Sequence, residues 1–153
     1  MLHTEIDAYI AGAMKERSMD LLNVLKLIKA EFVKAEKDGI KLDDITETKI
    51  LLKMLSQRED SIRQYVDGGR QDLADDEKKE IEIIKTFVPE QPTDEEIENY
   101  TRAVISAYVL SKTEKDFKLS MKDMKPIMTV VQSRYPSANG KIISKTLGSI
   151  INK

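Results

Sequence analysis

Apolar residues recur every three or four positions along almost the whole chain, and this spacing limits its fold more than any other feature. Such spacing lines the apolar side chains along one face of an α-helix. No stretch alternates apolar and polar residues in the way a half-buried strand does. The sequence therefore predicts an all-α fold.

Capping residues predict where the first helices begin. Thr4 is expected to cap the first helix, and Ser18 opens a second helix that Gly39 stops in a left-handed conformation. Asp44 and Glu47 stand in the spacing of a capping box, in which each residue satisfies a backbone amide of the other, so a third helix is expected there. Four helices are expected before the first proline of the chain.

The third and fourth helices are bounded by glycine, aspartate and proline. Gly68 and Gly69 are expected to end the third helix, and Asp72 to cap the fourth. Pro89 ends the fourth helix, because proline has no amide hydrogen and clashes with the preceding turn.

Two prolines, Pro89 and Pro92, mark the expected domain boundary, because together they forbid a continuous helix and stiffen the connection. Thr93 and Glu96 then form a second capping-box pattern that restarts the chain as a helix. We expect an N-terminal domain at residues 1–90 and a C-terminal domain at residues 91–153.

The C-terminal domain is expected to be a small three-helix bundle. Its second helix has two candidate starts: Asp123 as the cap, which makes Pro126 the third helical residue, or Ser120, with a kink at the proline. Tyr135 to Ser137 interrupts the pattern before the last helix.

Composition argues against most catalytic chemistry. The chain has no cysteine and one histidine, His3, and it lacks the glycine-rich motifs that bind nucleotide phosphates. We therefore expect no catalytic residue, no metal site and no cofactor. The longest run without a charged residue covers nine positions, 103–111, which is too short for a membrane helix, and a cytoplasmic location is expected.

Charge is distributed unevenly along the chain. Residues 1–90 carry a net charge of -5 and residues 91–153 a net charge of +3, although the whole chain is at -2. From Lys112 onward there are nine basic residues against three acidic ones. A basic segment in an acidic protein is typical of a surface that meets a polyanion, although solvated lysines on an ordinary helix face produce the same count.

The stretch 57–92 resembles the YqeY-like family. That family has a string of the form R-x-x-S-x-x-x-Y-x-x-x-G-R-x-D-L, followed by a proline–glutamine ending and a T/S-x-x-E helix start. The matching positions are Ser61, Tyr65, Gly69, Arg70, Asp72, Leu73, Pro89 and Gln91. The segments 123–128 and 138–141 are similar to two further family motifs, so the resemblance covers nearly the whole chain.

The resemblance implies a two-part helical protein whose C-terminal part is similar to the tail domain of the B subunit of tRNA-dependent amidotransferase (GatB). In that enzyme the tail contacts tRNA, and amide transfer belongs to other domains. The family is also associated with carbon–nitrogen ligase activity that uses glutamine as the amido-nitrogen donor. No residue of this chain resembles those catalytic domains.

Three hypotheses follow for function. The first is a non-catalytic module that binds tRNA or another RNA through basic residues of the C-terminal part: Lys122, Lys125, Arg134, Lys141 and Lys145. Arg58, Arg63, Arg70 and Gly140 are additional candidates. The alternatives are a protein–protein adaptor acting through the acidic N-terminal helices, and an accessory subunit of an amidotransferase-type ligase.

Overall fold

The computed structural model describes residues 1–152, and within them the chain forms seven α-helices and no strand. The all-α prediction is confirmed. The helices are α1 (Leu2–Lys15), α2 (Met19–Lys37), α3 (Asp44–Asp67), α4 (Gln71–Lys85), α5 (Asp94–Leu110), α6 (Met124–Arg134) and α7 (Gly140–Ile151), with a 3-10 turn at Met121–Asp123 before α6.

The chain divides into two compact units, Met1–Pro89 and Glu90–Lys153. The first holds α1 to α4 around a core of aliphatic side chains and one phenylalanine, which includes Leu25, Ile28, Phe32, Leu51 and Ile84. The second holds α5 to α7 around Ile97, Ile105, Ile127, Val131, Ile143 and Leu147. Each unit thus buries its own apolar stripes, as helices with one apolar face must. Independent folding of each unit stays a prediction.

Several helix ends are as the sequence predicted. Gly39 and Gly69 follow α2 and α3 with φ of 78° and 73°, the left-handed conformation that glycine adopts without steric cost. Thr93 and Glu96 form the expected reciprocal pair, since the Glu96 amide donates to Thr93 Oγ1 at 3.2 Å and the Thr93 amide donates to the Glu96 carboxylate at 2.7 Å.

The predicted starts of α1 and α3 are wrong, and the two errors have one cause. Glu47 is buried, and instead of closing a local box in α3 it accepts hydrogen bonds from the backbone amides of Leu2 and His3, each at 3.0 Å. The His3 ring nitrogen Nδ1 also contacts this carboxylate. A residue of α3 therefore caps α1, which begins at Leu2 and not after Thr4. Asp43 caps α3 in its place, accepting from the Thr46 amide at 2.7 Å.

The predicted start of α4 is also wrong. The helix begins at Gln71, so Asp72 is its second residue and pairs with Arg70 at 3.1 Å instead of capping it. The helix stops at Lys85, whose carbonyl is the one that Pro89 cannot bond because proline has no amide hydrogen, and a turn connects the two residues.

The start of α6 has features of both predicted alternatives, a cap at Asp123 or at Ser120. The helix begins at Met124, directly after Asp123, and Pro126 is its third residue as expected. The Asp123 carboxylate, however, does not cap α6. It accepts from the Ser120 amide at 2.9 Å and so closes the preceding 3-10 turn.

Candidate nucleic-acid interface

The five basic residues predicted as the main RNA contacts are all exposed. Lys122 lies in the 3-10 turn, Lys125 and Arg134 in α6, and Lys141 and Lys145 in α7. No residue from 103 to 152 takes part in a salt bridge with any described residue. Within the described part of the chain, no carboxylate therefore lies within 4.0 Å of these cations.

The additional candidates in the first unit are paired. The Arg58 side chain is only 13% exposed, and its Nε donates to Glu80 at 2.9 Å and lies 3.9 Å from Glu77. Burial, with the nearby Glu80 charge, raises the pKa of Glu77. Arg58 thus ties α3 to α4.

Arg63 and Arg70 also have carboxylates close by, although both are exposed. Arg63 lies 3.8 Å from Asp60, and Arg70 makes two 3.1 Å hydrogen bonds to Asp72. Those bonds lower the pKa of Asp72. A phosphate would have to compete with these carboxylates, so the arrangement favours the C-terminal cations over Arg63 and Arg70 as phosphate contacts.

The five C-terminal cations do not share one face. Successive residues of an α-helix are about 100° apart, so Lys141 and Lys145 point in nearly the same direction from α7. Lys125 and Arg134 are nine residues apart in α6 and point in nearly opposite directions. Lys125 and Lys141 are each the second residue of their helix, where an anion is also favoured by the helix dipole.

Lys145 differs from the others in its surroundings. It lines a groove between α5 and α7 together with Asp94, Glu95 and Glu98. Arg102 at the same groove pairs with Glu98 at 2.9 Å. The carboxylates of α5 offset the positive potential at Lys145, so we assign it less weight than Lys125 or Lys141.

Gly140 begins α7 next to a methionine side chain. A Cβ at this position would lie 3.2 Å from Met128 Cε, and the Asn139 side chain already accepts from the Lys141 amide at 2.8 Å. A side chain at position 140 would therefore press on the end of the Met128 side chain, and this contact gives a packing reason for glycine there.

Within residues 1–152, no three His, Asp or Glu side chains lie close enough to hold a metal ion. No helix in that range is both long enough and apolar enough to cross a membrane.

A protein-family model described as "Yqey-like protein" matches residues 3–151. The chain belongs to the YqeY-like family. Among its relatives, the mitochondrial protein named "altered inheritance of mitochondria protein 41" is 32% identical in Candida glabrata over 97 residues, or 63% of this chain and 53% of the relative. The Clavispora lusitaniae protein of the same name is 45% identical over 64 residues, or 40% of this chain and 38% of the relative.

An uncharacterised Schizosaccharomyces pombe protein is 29% identical over 90 residues, or 58% of this chain and 73% of the relative. The YqeY-like chain spans about half the length, 53%, of the Candida glabrata mitochondrial relative.

One surface feature of the YqeY-like chain was not predicted from its sequence. A groove of about 450 Å³ runs between α5 and α6, lined by Tyr100, Ala103, Val104, Ala107, Tyr108, Pro126, Ile127 and Val130. Val104, Tyr108 and Ile127 belong to the apolar stripes that helical periodicity predicts to face the core of the second unit. Ala103, Ala107 and Val130 form a second apolar row beside that core face, and such a widened stripe is the signal that could have indicated the groove.

Proposed function

We propose that this YqeY-like protein is a non-catalytic helical module that binds RNA, with tRNA the first candidate, through the basic residues of its second unit. One observation carries the proposal. The cations from Lys112 to Lys145 lack carboxylate partners among the described residues, whereas the predicted basic contacts of the first unit have them.

Pairing matters because of what binding costs. An arginine held by a carboxylate must give up or share that contact before it binds phosphate, and the carboxylate then repels the ligand. An exposed, unpaired lysine instead exchanges only water and counterions, and counterion release drives association with a polyanion. Lys122, Lys125, Arg134 and Lys141 meet this condition best.

The test is a pair of matched charge reversals in the full chain. Lys125→Glu with Lys141→Glu places each new carboxylate in the first turn of a helix, where the dipole favours it, so the fold should survive. The control is Lys49→Glu with Lys53→Glu, two exposed lysines of α3 that form no salt bridge with any described residue, and it changes the net charge equally.

We expect tRNA affinity, measured by filter binding over a range of salt, to fall as salt rises. Each neutralised phosphate contributes a logarithmic slope of about 0.7 to 0.9. Losing two contacts should therefore weaken binding and flatten the slope by about 1.4 to 1.8, while the α3 control keeps the wild-type slope. Undetectable binding by folded wild type at low salt, or equal loss in both variants, would refute the proposal.

The proposal assigns no reaction to the chain. Ligase chemistry associated with the family is proposed to need other subunits, so the purified protein should release no ammonia from glutamine. The proposal also holds in either compartment: the sequence favours the cytoplasm, the Candida glabrata and Clavispora lusitaniae relatives are named as mitochondrial proteins, and tRNA is present in both.

A further inference from the structure

The groove between α5 and α6 is an exposed apolar surface of defined length. Val130 is 49% exposed, and the lining is alanine, valine, isoleucine and proline between two tyrosines. Tyr100 and Tyr108 are eight residues apart on α5, which corresponds to about 12 Å along the helix. A partner helix with apolar side chains at i, i+4 and i+7 presents a stripe of about that length.

Each end of the groove carries a cation. At the Tyr108 end, Lys112 Nζ lies 4.4 Å from the centre of the tyrosine ring. At the other end, Tyr100 packs edge-on against Tyr135 at 5.2 Å, and the Arg134 guanidinium lies 5.6 Å from the centre of the Tyr135 ring. Both cations therefore lie against aromatic rings near the groove, and among the described residues neither forms a salt bridge within 4.0 Å, while the nearby charge of Asp123 also acts on Lys112.

Two acidic residues lie nearby, and both are engaged in the fold. Asp123 accepts hydrogen bonds from Tyr108 Oη at 2.8 Å and from the Ser120 amide at 2.9 Å. Glu96, one turn before Tyr100, closes the capping box of α5. The other carboxylates at the start of α5, Asp94, Glu95 and Glu98, line the separate groove between α5 and α7. Lys112 and Arg134 are thus the cations at the two ends of the apolar floor.

We propose that this groove binds an amphipathic helix of another protein, whose apolar face is flanked at both ends by acidic residues. The apolar floor would supply affinity by burying the stripe, as in other helix-in-groove complexes. Lys112 and Arg134 would fix its placement by pairing with the flanking carboxylates. The aliphatic lining offers no hydrogen bonds to nucleobase edges, so a helix fits this surface better than RNA does. The inference does not rest on RNA binding.

The probe is a fluorescent synthetic helix of about four turns with leucines at i, i+4 and i+7 and glutamates at both ends. A second peptide replaces the glutamates with lysines. Fluorescence anisotropy with the full chain should show saturable binding of the acidic peptide and markedly weaker binding of the basic one. Val130→Glu should weaken the acidic peptide about tenfold or more, because it places a charge on the apolar floor.

The matched control is Val66→Glu, because Val66 is 48% exposed on α3 and Val130 is 49% exposed on α6. The control should bind as wild type does, and thermal melts should show both variants folded. No binding of the acidic peptide, or equal binding of both peptides, would overturn the inference. So would a concentration-dependent dimer of the wild type that Val130→Glu dissociates, or loss of tRNA binding in Val130→Glu, because the groove would then belong to a second copy or to RNA.

Discussion

Replacing Glu47 tests the tertiary contact that decides where the first helix begins. This carboxylate is 4% exposed and accepts two 3.0 Å bonds from the amides of Leu2 and His3, besides the contact with the His3 ring. The first amides of an α-helix have no partner within the helix, so Glu47 satisfies groups that would otherwise need water. It also places a negative charge at the positive end of the α1 dipole.

The magnitude follows from those contacts. A hydrogen bond to a charged group contributes about 1.5 to 3 kcal/mol, but Leu2 and His3 are half-buried, so water can replace part of what is lost. Glu47→Ala should therefore lower the free energy of unfolding by about 2 to 4 kcal/mol. Glu47→Gln keeps the shape and one acceptor oxygen, and should cost about half as much.

The contact also predicts a pH dependence. Burial alone would raise the pKa of Glu47, but the hydrogen bonds from His3 and Leu2 outweigh it and hold the pKa below the ordinary value of 4.5. A carboxyl group with a lowered folded pKa stabilises the protein above its unfolded pKa, and this contribution is lost as pH falls through the folded value. Wild type should thus lose stability on acidification below about pH 4.5 by more than Glu47→Gln does.

The assay is urea denaturation followed by circular dichroism, with amide hydrogen exchange of residues 2–15 to localise the effect. Glu59→Gln is the control, since Glu59 is exposed on the same helix and forms no salt bridge with any described residue. We expect faster exchange in α1 for Glu47→Gln only. Equal unfolding midpoints for wild type, Glu47→Ala and Glu47→Gln, with unchanged exchange in α1, would refute the interpretation of Glu47 as the cap of α1.

Three further predictions concern the backbone. Gly69→Val should lower the free energy of unfolding by about 1 kcal/mol or more, because Gly69 has a φ of 73°; an unchanged denaturation midpoint would contradict this. Thr93→Ala removes the cap of α5 and should lower the free energy of unfolding, followed by thermal melts, by about 0.5 to 2 kcal/mol; an unchanged melting temperature would contradict this. Brief proteolysis should cut first at 88–94 or 111–118, whereas first cuts within 50–65 would contradict the proposed boundary.

Local patterns predicted several helix ends whose decisive contacts are local, although Asp72 pairs with its neighbour Arg70 instead of capping α4. The Thr93–Glu96 box and the glycines after α2 and α3 lie where the sequence placed them, because their partners are within a few residues. Glu47 had the right spacing for the same kind of box, yet its carboxylate bonds to α1, more than forty positions away in sequence. No short-range pattern distinguishes a glutamate that caps its own helix from one that caps another.

The candidate site shows the same limit. The sequence located the basic segment, because counting charges needs no structure. It could not rank Arg58 against Lys125, since the partners of Arg58 come from another helix, and Arg58 is 13% exposed beside Glu77 and Glu80. The sequence also did not show that Lys145 lies beside the carboxylates of α5. Nor did it show that Val130 is exposed in a groove between α5 and α6.

Nearby carboxylates decide how strongly each basic side chain of this protein can attract a phosphate. The capacity of a cation to attract a phosphate depends on the potential at its side chain, and each carboxylate within a few ångströms cancels most of its field. The first unit has basic residues along its four helices. The charges of Arg58, Arg63 and Arg70, however, are offset by neighbouring carboxylates. After α5 the second unit has only three acidic residues, Glu114, Asp116 and Asp123, so the positive potential at its lysines is less reduced by carboxylates. Pairing therefore ranks these three arginines below the C-terminal cations, whereas the unpaired lysines of the first unit, such as Lys49 and Lys53, differ from them by lying in a segment, residues 1–90, with a net charge of -5.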